Sequence, residues 1–143
     1  MFDTAAELTV SQLVSTNLAV DTLTQQQIDA IKPVALAYIG DAVFELYVRS
    51  RLLFPAKRIH DYHTQVVRHV KAEQQAHYVE VLSPHLNEVE KQVLRRGRNA
   101  TSGKQRRASA QQYRQSTGFE ALLGFLYLSD RSRLFELLKQ LSI

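Results

Sequence analysis

Two stretches of the chain, VALAYIGDAVFELYV (residues 34–48) and STGFEALLGFLYL (residues 116–128), are nearly continuous hydrocarbon, and each carries acid inside it. Segments so apolar must be buried, and the apolar residues elsewhere recur at helical rather than alternating spacing. Breakers are few, with five Gly and three Pro in 143 residues. The expectation is an all-α fold of five or six helices. Thr24, with Gln27 three residues on, reads as a capping box. A helix should follow from about Pro33 to Phe54, with Pro55 ending it, and another from roughly Ile59 to Leu82. SPHLNEVEKQVLRRG reads as a helix with Ser83 as cap and Pro84 at its first position, stopping at Gly97. After a polar loop come the second apolar helix and an amphipathic one capped by Asp130. No repeat or linker divides the chain, so residues 1–143 read as one domain.

Composition narrows the function classes. Hydrophobic residues make up 45%, enough to drive folding. There is no cysteine, which removes disulfides and thiolate metal sites and suits a cytoplasmic protein. The opening MFDTAAELTV lacks the basic and apolar regions of a signal peptide, and no apolar run reaches the length of a membrane span. A net charge of +4 and a pI near 9.5 point to an acidic partner.

Asp41 and Glu45 are four residues apart and share a helix face, while Glu120 is the only charged residue of the second apolar stretch. Burying an unpaired carboxylate costs on the order of several kcal/mol, so such acids are normally paired, hydrogen-bonded or metal-bound. Three readings are open. Gly40 could break the helix and let Asp41 cap a new one, although Phe44 stands where a capping box wants Glu or Gln. The acids could pair with buried arginines. Or carboxylates from the two helices converge on a hard cation such as Mg²⁺, with Gly40 admitting a neighbouring backbone or ligand. His60, His63, His69 and His77 lack the matched partners of a zinc site and read as solvated or structural.

From Lys91 to Phe119 the chain holds Lys91, Arg95, Arg96, Arg98, Lys104, Arg106, Arg107 and Arg114 with no acid between them. These eight charges are twice the net charge of the whole chain. A solvated face normally mixes signs. With Asn99, Thr101 and Ser102 as further donors, the segment suits a phosphate backbone, and its few aromatics favour a duplex over stacked single strands.

LAYIGDAVFELYVR, RRGRNATSG and YRQSTGFEALLGFLYL, in that order, resemble blocks of the ribonuclease III nuclease domain, most closely its short bacterial branch. YHTQVVRHVKAEQQA matches the intervening helix more loosely, and the likeness covers about residues 30–130. The resemblance implies an all-helical homodimer that cleaves double-stranded RNA with Mg²⁺. For the short branch it also implies maturation of precursor 23S ribosomal RNA, with room for a ribosomal-protein cofactor. By position, Asp41 and Glu120 match the family's catalytic, metal-binding acids. Ala37 and Thr117 stand where the wider family has two more, which leaves a full two-metal site open. The resemblance further implies RNA binding by Arg95, Arg96, Arg98, Asn99, Lys104, Arg106, Arg107 and Arg114, because the chain has no room for an appended double-stranded RNA-binding domain. It places a dimer interface on the signature helix, at Tyr38, Ile39 and Phe44. The alternatives are a non-catalytic, RNA-binding ribosome-assembly factor and a structural helical dimer whose acids pair with arginines.

Overall fold

The structure, a computed structural model, describes residues 23–101 and 107–143, with backbone only at 107 and 108. All regular elements among these residues are helical: α1 (Gln25–Asp29), α2 (Pro33–Leu52), α3 (Ile59–Val70), α4 (Ala72–Leu82), α5 (Glu88–Asn99), α6 (Arg107–Ser129) and α7 (Arg131–Leu138). None is long and apolar enough to cross a membrane. The capping box at Thr24 forms as the sequence suggests, with Gln27 N–H donating to Thr24 Oγ1 at 3.1 Å. Asp130 caps α7 by accepting from Arg133 N–H at 3.1 Å.

Three boundaries differ from the sequence reading. The helix expected over Ile59–Leu82 is broken at Lys71, whose backbone is extended (φ −66°, ψ 148°). The helix expected from Ser83 starts later: Ser83–His85 is a single 3₁₀ turn, and Asn87 caps α5 in a capping box with Glu90. Asn-x-x-Glu satisfies two of the otherwise unpaired N–H groups of the first turn and so outcompetes the Ser-Pro start. Gly97 does not end α5, which runs on to Asn99.

α6 is the central strut, with α1, α2, α4, α5 and α7 packed around it. Of residues 116–126, Glu120 alone is not buried. Such burial on every side demands neighbours that come very close, and glycines provide the access. A Cβ on Gly40 would overlap the Glu120 carbonyl oxygen and lie 2.8 Å from the Gly124 nitrogen. A Cβ on Gly124 would overlap the Leu36 carbonyl. Helices α2 and α6 therefore cross backbone to backbone. α5 crosses the other side of α6 in the same way, with a Cβ on Gly97 falling 2.9 Å from the Gly118 Cα. Gly40 is thus no helix breaker, because α2 is continuous through it. Beside this crossing Phe44 and Phe119 meet edge to face at 4.9 Å, with Tyr78 against both. Phe44 is fully buried. That corrects its assignment to a surface stripe with Tyr38 and Ile39: it lies on the core-facing side of α2.

In an open helix interior Gly→Ala gains about 1 kcal/mol of helix propensity. Gly40→Ala should do the reverse here and lower stability by about 3 kcal/mol or more, because the obstruction is backbone that cannot rotate away. Denaturant melts that found the alanine variant as stable as wild type would contradict the close crossing.

Candidate active site

The α2–α6 crossing decides where the acids fall. Asp41, the residue after Gly40, and Glu120, whose own carbonyl lies against Gly40, are brought side by side. Sequence reasoning expected both to be buried. Instead Asp41 is exposed and Glu120 is half-buried, so the pair opens to solvent at the edge of the core. Burial first, and then the neighbouring Asp41 charge and a hydrogen bond with Asp41, raise the Glu120 carboxyl to about 7. Gln75, on α4, opposes this with a hydrogen bond that favours the ionised form. Near neutral pH the Glu120 carboxyl is therefore only about half ionised, and a cation bound beside it would take the place of its proton.

A third acid shows what structural pairing looks like in this protein. Glu90 is 2% exposed, yet Arg133 grips it through Nε at 2.9 Å and a second nitrogen at 2.9 Å. Burial pushes the Glu90 carboxyl up, but the Arg133 hydrogen bond, the Asn87 backbone N–H and the Arg133 charge outweigh it and leave it below its usual value. Arg133 also donates to the His85 carbonyl at 2.6 Å, which ties α7 to the α4–α5 connection. Glu45 likewise has its own arginine, Arg49, at 2.8 Å. Among the described residues, no cation forms an ion pair with Asp41 or Glu120. Of the readings open from sequence, the arginine-paired one describes Glu90, and the convergent one describes Asp41 and Glu120.

The donors suit a hard cation. They are carboxylate oxygens, their charges repel in its absence, and one face of the pair is open to water. Ala37 is buried, and Thr117 turns its hydroxyl back to the Tyr113 carbonyl at 3.0 Å, so neither adds a ligand. Among the described residues, no group of three or more His, Cys, Asp or Glu assembles. Two carboxylates fit a single Mg²⁺ that retains several waters. The histidines take no part: His69 is hydrogen-bonded to Tyr78, and His60 and His63 are exposed.

The described basic residues lie on helices rather than in a loop. Arg95, Arg96, Arg98 and Asn99 are exposed on the last turns of α5, and Arg114 is exposed on α6. Gly97, set among these arginines, lies against Gly118, two residues before Glu120, so the basic end of α5 sits alongside the stretch of α6 that holds the acid. Lys104 and Arg106 lie outside the described residues, as does the side chain of Arg107. Sequence reasoning missed Gln75. The signal was present in AEQQAHYVEVL, where Gln75 occupies a core position in step with Tyr78, Val79 and Leu82.

An all-helical domain with these acids on crossing helices defines a class, and residues 34–131 match the family described as Ribonuclease III domain. The chain belongs to the ribonuclease III family and is an endoribonuclease. Within the family, several similar proteins share one name. It is 54% identical over 111 residues to the Mini-ribonuclease 3 of Synechocystis sp., covering 78% of each chain. It is 50% identical to that of Thermosynechococcus vestitus, covering 78% of this chain and 74% of the relative. The Clostridium tetani protein of the same name is 38% identical, with 81% and 80% covered. A crystal structure of a Fusobacterium nucleatum protein superposes with a TM-score of 0.69 at 26% identity, covering 76% of this chain and 88% of that one.

The raised Glu120 carboxyl gives a stability prediction for the metal-free protein. Its folded value of about 7 lies above the usual 4.5, so the folded state holds more protons than the unfolded state between these limits. Stability should therefore fall as pH rises from about 4.5 to about 7 and then level off. The loss attributable to this carboxyl should be roughly 1–2 kcal/mol, since solvent reaches the pair. His69, held below its usual value by burial and by Arg68, acts in the opposite direction. The readout is accordingly the difference between wild type and Glu120→Gln in thermal melts with chelator, and a constant difference across that window would refute the raised value.

Proposed function

We propose that this endoribonuclease is a Mg²⁺-dependent enzyme of one nuclease domain that cleaves double-stranded RNA as a homodimer, maturing the ends of precursor 23S ribosomal RNA in the cytoplasm. The observation that carries the reading is the carboxylate pair, brought together by two helices and left without a protein cation among the described residues. A non-catalytic RNA binder would have no use for that pair. Asp41 and Glu120 would hold the ion, which when bound supplies an activated water and neutralises charge developing on the phosphate. Asp41, at the exposed end of the pair, faces incoming substrate. Arg95, Arg96, Arg98 and Arg114 would neutralise phosphates on either side and position a duplex by its A-form shape.

A second copy finds its place on α2. Val34, Tyr38, Ala42 and Leu46 recur every four residues and are all exposed, with Tyr38 86% accessible. This stripe takes over the interface role first given to Tyr38, Ile39 and Phe44. Asp41 lies at its edge, so a two-fold contact through the stripe would bring two sites onto one duplex.

Two tests follow. Asp41→Asn should keep the fold and duplex binding but lower cleavage by about 10³-fold or more, since a neutral amide is a poor Mg²⁺ ligand. Replacing Arg95, Arg96 and Arg98 with Ser should instead weaken binding to all duplexes alike and flatten the salt dependence of log K by up to about three units. Near-normal cutting by folded Asp41→Asn would end the assignment. For assembly, Tyr38→Glu should convert a dimer to a monomer in sedimentation velocity. Wild type that sediments as an active monomer at micromolar concentration would rule the dimer out.

A further inference from the structure

Gln75 is 1% exposed and sits on the face of α4 that packs against α6, where its neighbours in register are Tyr78, Val79 and Leu82. A buried carboxamide has two N–H donors and one acceptor oxygen to satisfy. One N–H donates to the Val70 carbonyl at 3.1 Å, across the break at Lys71 that separates α3 from α4. The same amide lies close enough to the Glu120 carboxyl to favour its ionised form. Both partners are acceptors, so the nitrogen must face them, and a flipped amide would set its oxygen against theirs. Oε1 is consequently left buried without a partner. A leucine or methionine would fill the same space and leave no unsatisfied oxygen. The unpaired atom therefore marks a side chain kept for what its nitrogen does.

We propose that Gln75 is a positioning residue: anchored at the Val70 carbonyl, its amide aims the Glu120 carboxylate toward Asp41 so that the two acids form one cation site. The helix break at Lys71 belongs to the same device, since the carbonyl at the end of α3 fixes the amide that fixes the acid. This inference rests on the reading of Asp41 and Glu120 as the metal-holding pair, and its test separates the two.

Mn²⁺ binding to the intact protein is measured by isothermal titration without RNA, for wild type, Asp41→Asn and Gln75→Met. Gln75→Met should raise the Mn²⁺ Kd by roughly tenfold or more, the usual effect of losing a group that orients a metal ligand. Duplex binding in metal-free buffer should stay as in wild type, which a merely structural loss would not allow. Wild-type binding that Asp41→Asn loses and Gln75→Met retains would overturn the role of Gln75 alone. Wild type that binds no Mn²⁺, or Asp41→Asn that binds it equally, would overturn the site reading and the Gln75 role with it. A second readout does not depend on the buried variant folding: the Gln75 side-chain NH₂ resonance of wild type should shift on Mg²⁺ addition and differ in metal-free Glu120→Gln. A resonance unmoved in both cases would also overturn the proposal.

Discussion

The backbone contact between α2 and α6 sets everything else in this structure. Glycine in a helix interior costs about 1 kcal/mol relative to alanine, and this chain accepts that cost at Gly40, Gly97, Gly118 and Gly124. The return is an α6 surrounded so closely that its middle turns are buried all round, with Phe119, Ala121, Leu122 and Leu123 at or below 1% exposure. Because Gly40 touches the Glu120 carbonyl itself, residue 41 has to lie near side chain 120. The packing solution and the placement of the acids are one feature. With a side chain at position 40 the two backbones could not approach this closely.

The protein treats its acids in two opposite ways. Glu90 is more deeply buried than Glu120, yet it is fully partnered by Arg133 and Asn87, and it welds α5 to α7. Glu120 is less buried, has another acid for a neighbour and is pushed in the opposite direction. Depth of burial alone would rank Glu90 as the more perturbed group, but hydrogen bonding and local charge reverse that order. A structural acid is satisfied where it sits. Glu120, held next to another acid, instead keeps a proton up to about neutral pH, and that contrast separates the pair from the scaffold.

Much of this was legible in the sequence, and the limits have physical causes. The two apolar helices, the caps at Thr24 and Asp130, and the pairing of Asp41 with Glu120 rest on local pattern or on blocks of residues that keep their order. What local pattern could not show was which of two competing starts would open α5: Asn87 won because its partner Glu90 is also locked by Arg133, 43 residues away. The break at Lys71 was hidden for a similar reason. Apolar spacing continues across it, and the break becomes visible only in the extended backbone at Lys71. Phe44 was misread as surface because Tyr38, Ile39 and Phe44 are all apolar, although the helical period turns Phe44 about 120° away from Tyr38, onto the buried face of α2.

These observations combine into an account of why so small a domain can carry a polar site on its most buried helix. α6 is covered by α2, α4 and α5, and at Glu120 two of the three present something other than hydrocarbon: α2 presents glycine and then aspartate, and α4 presents glutamine. α5 contributes from outside, since Gly97 lets its arginine-bearing end lie along α6 two residues from the acid. The opening in the core is therefore built from residues that do not fill space, and the charge beside it has the sign a phosphate backbone requires. Hydrocarbon at these positions would extend the apolar packing of α6 and remove the point at which its core-facing stretch meets a second acid.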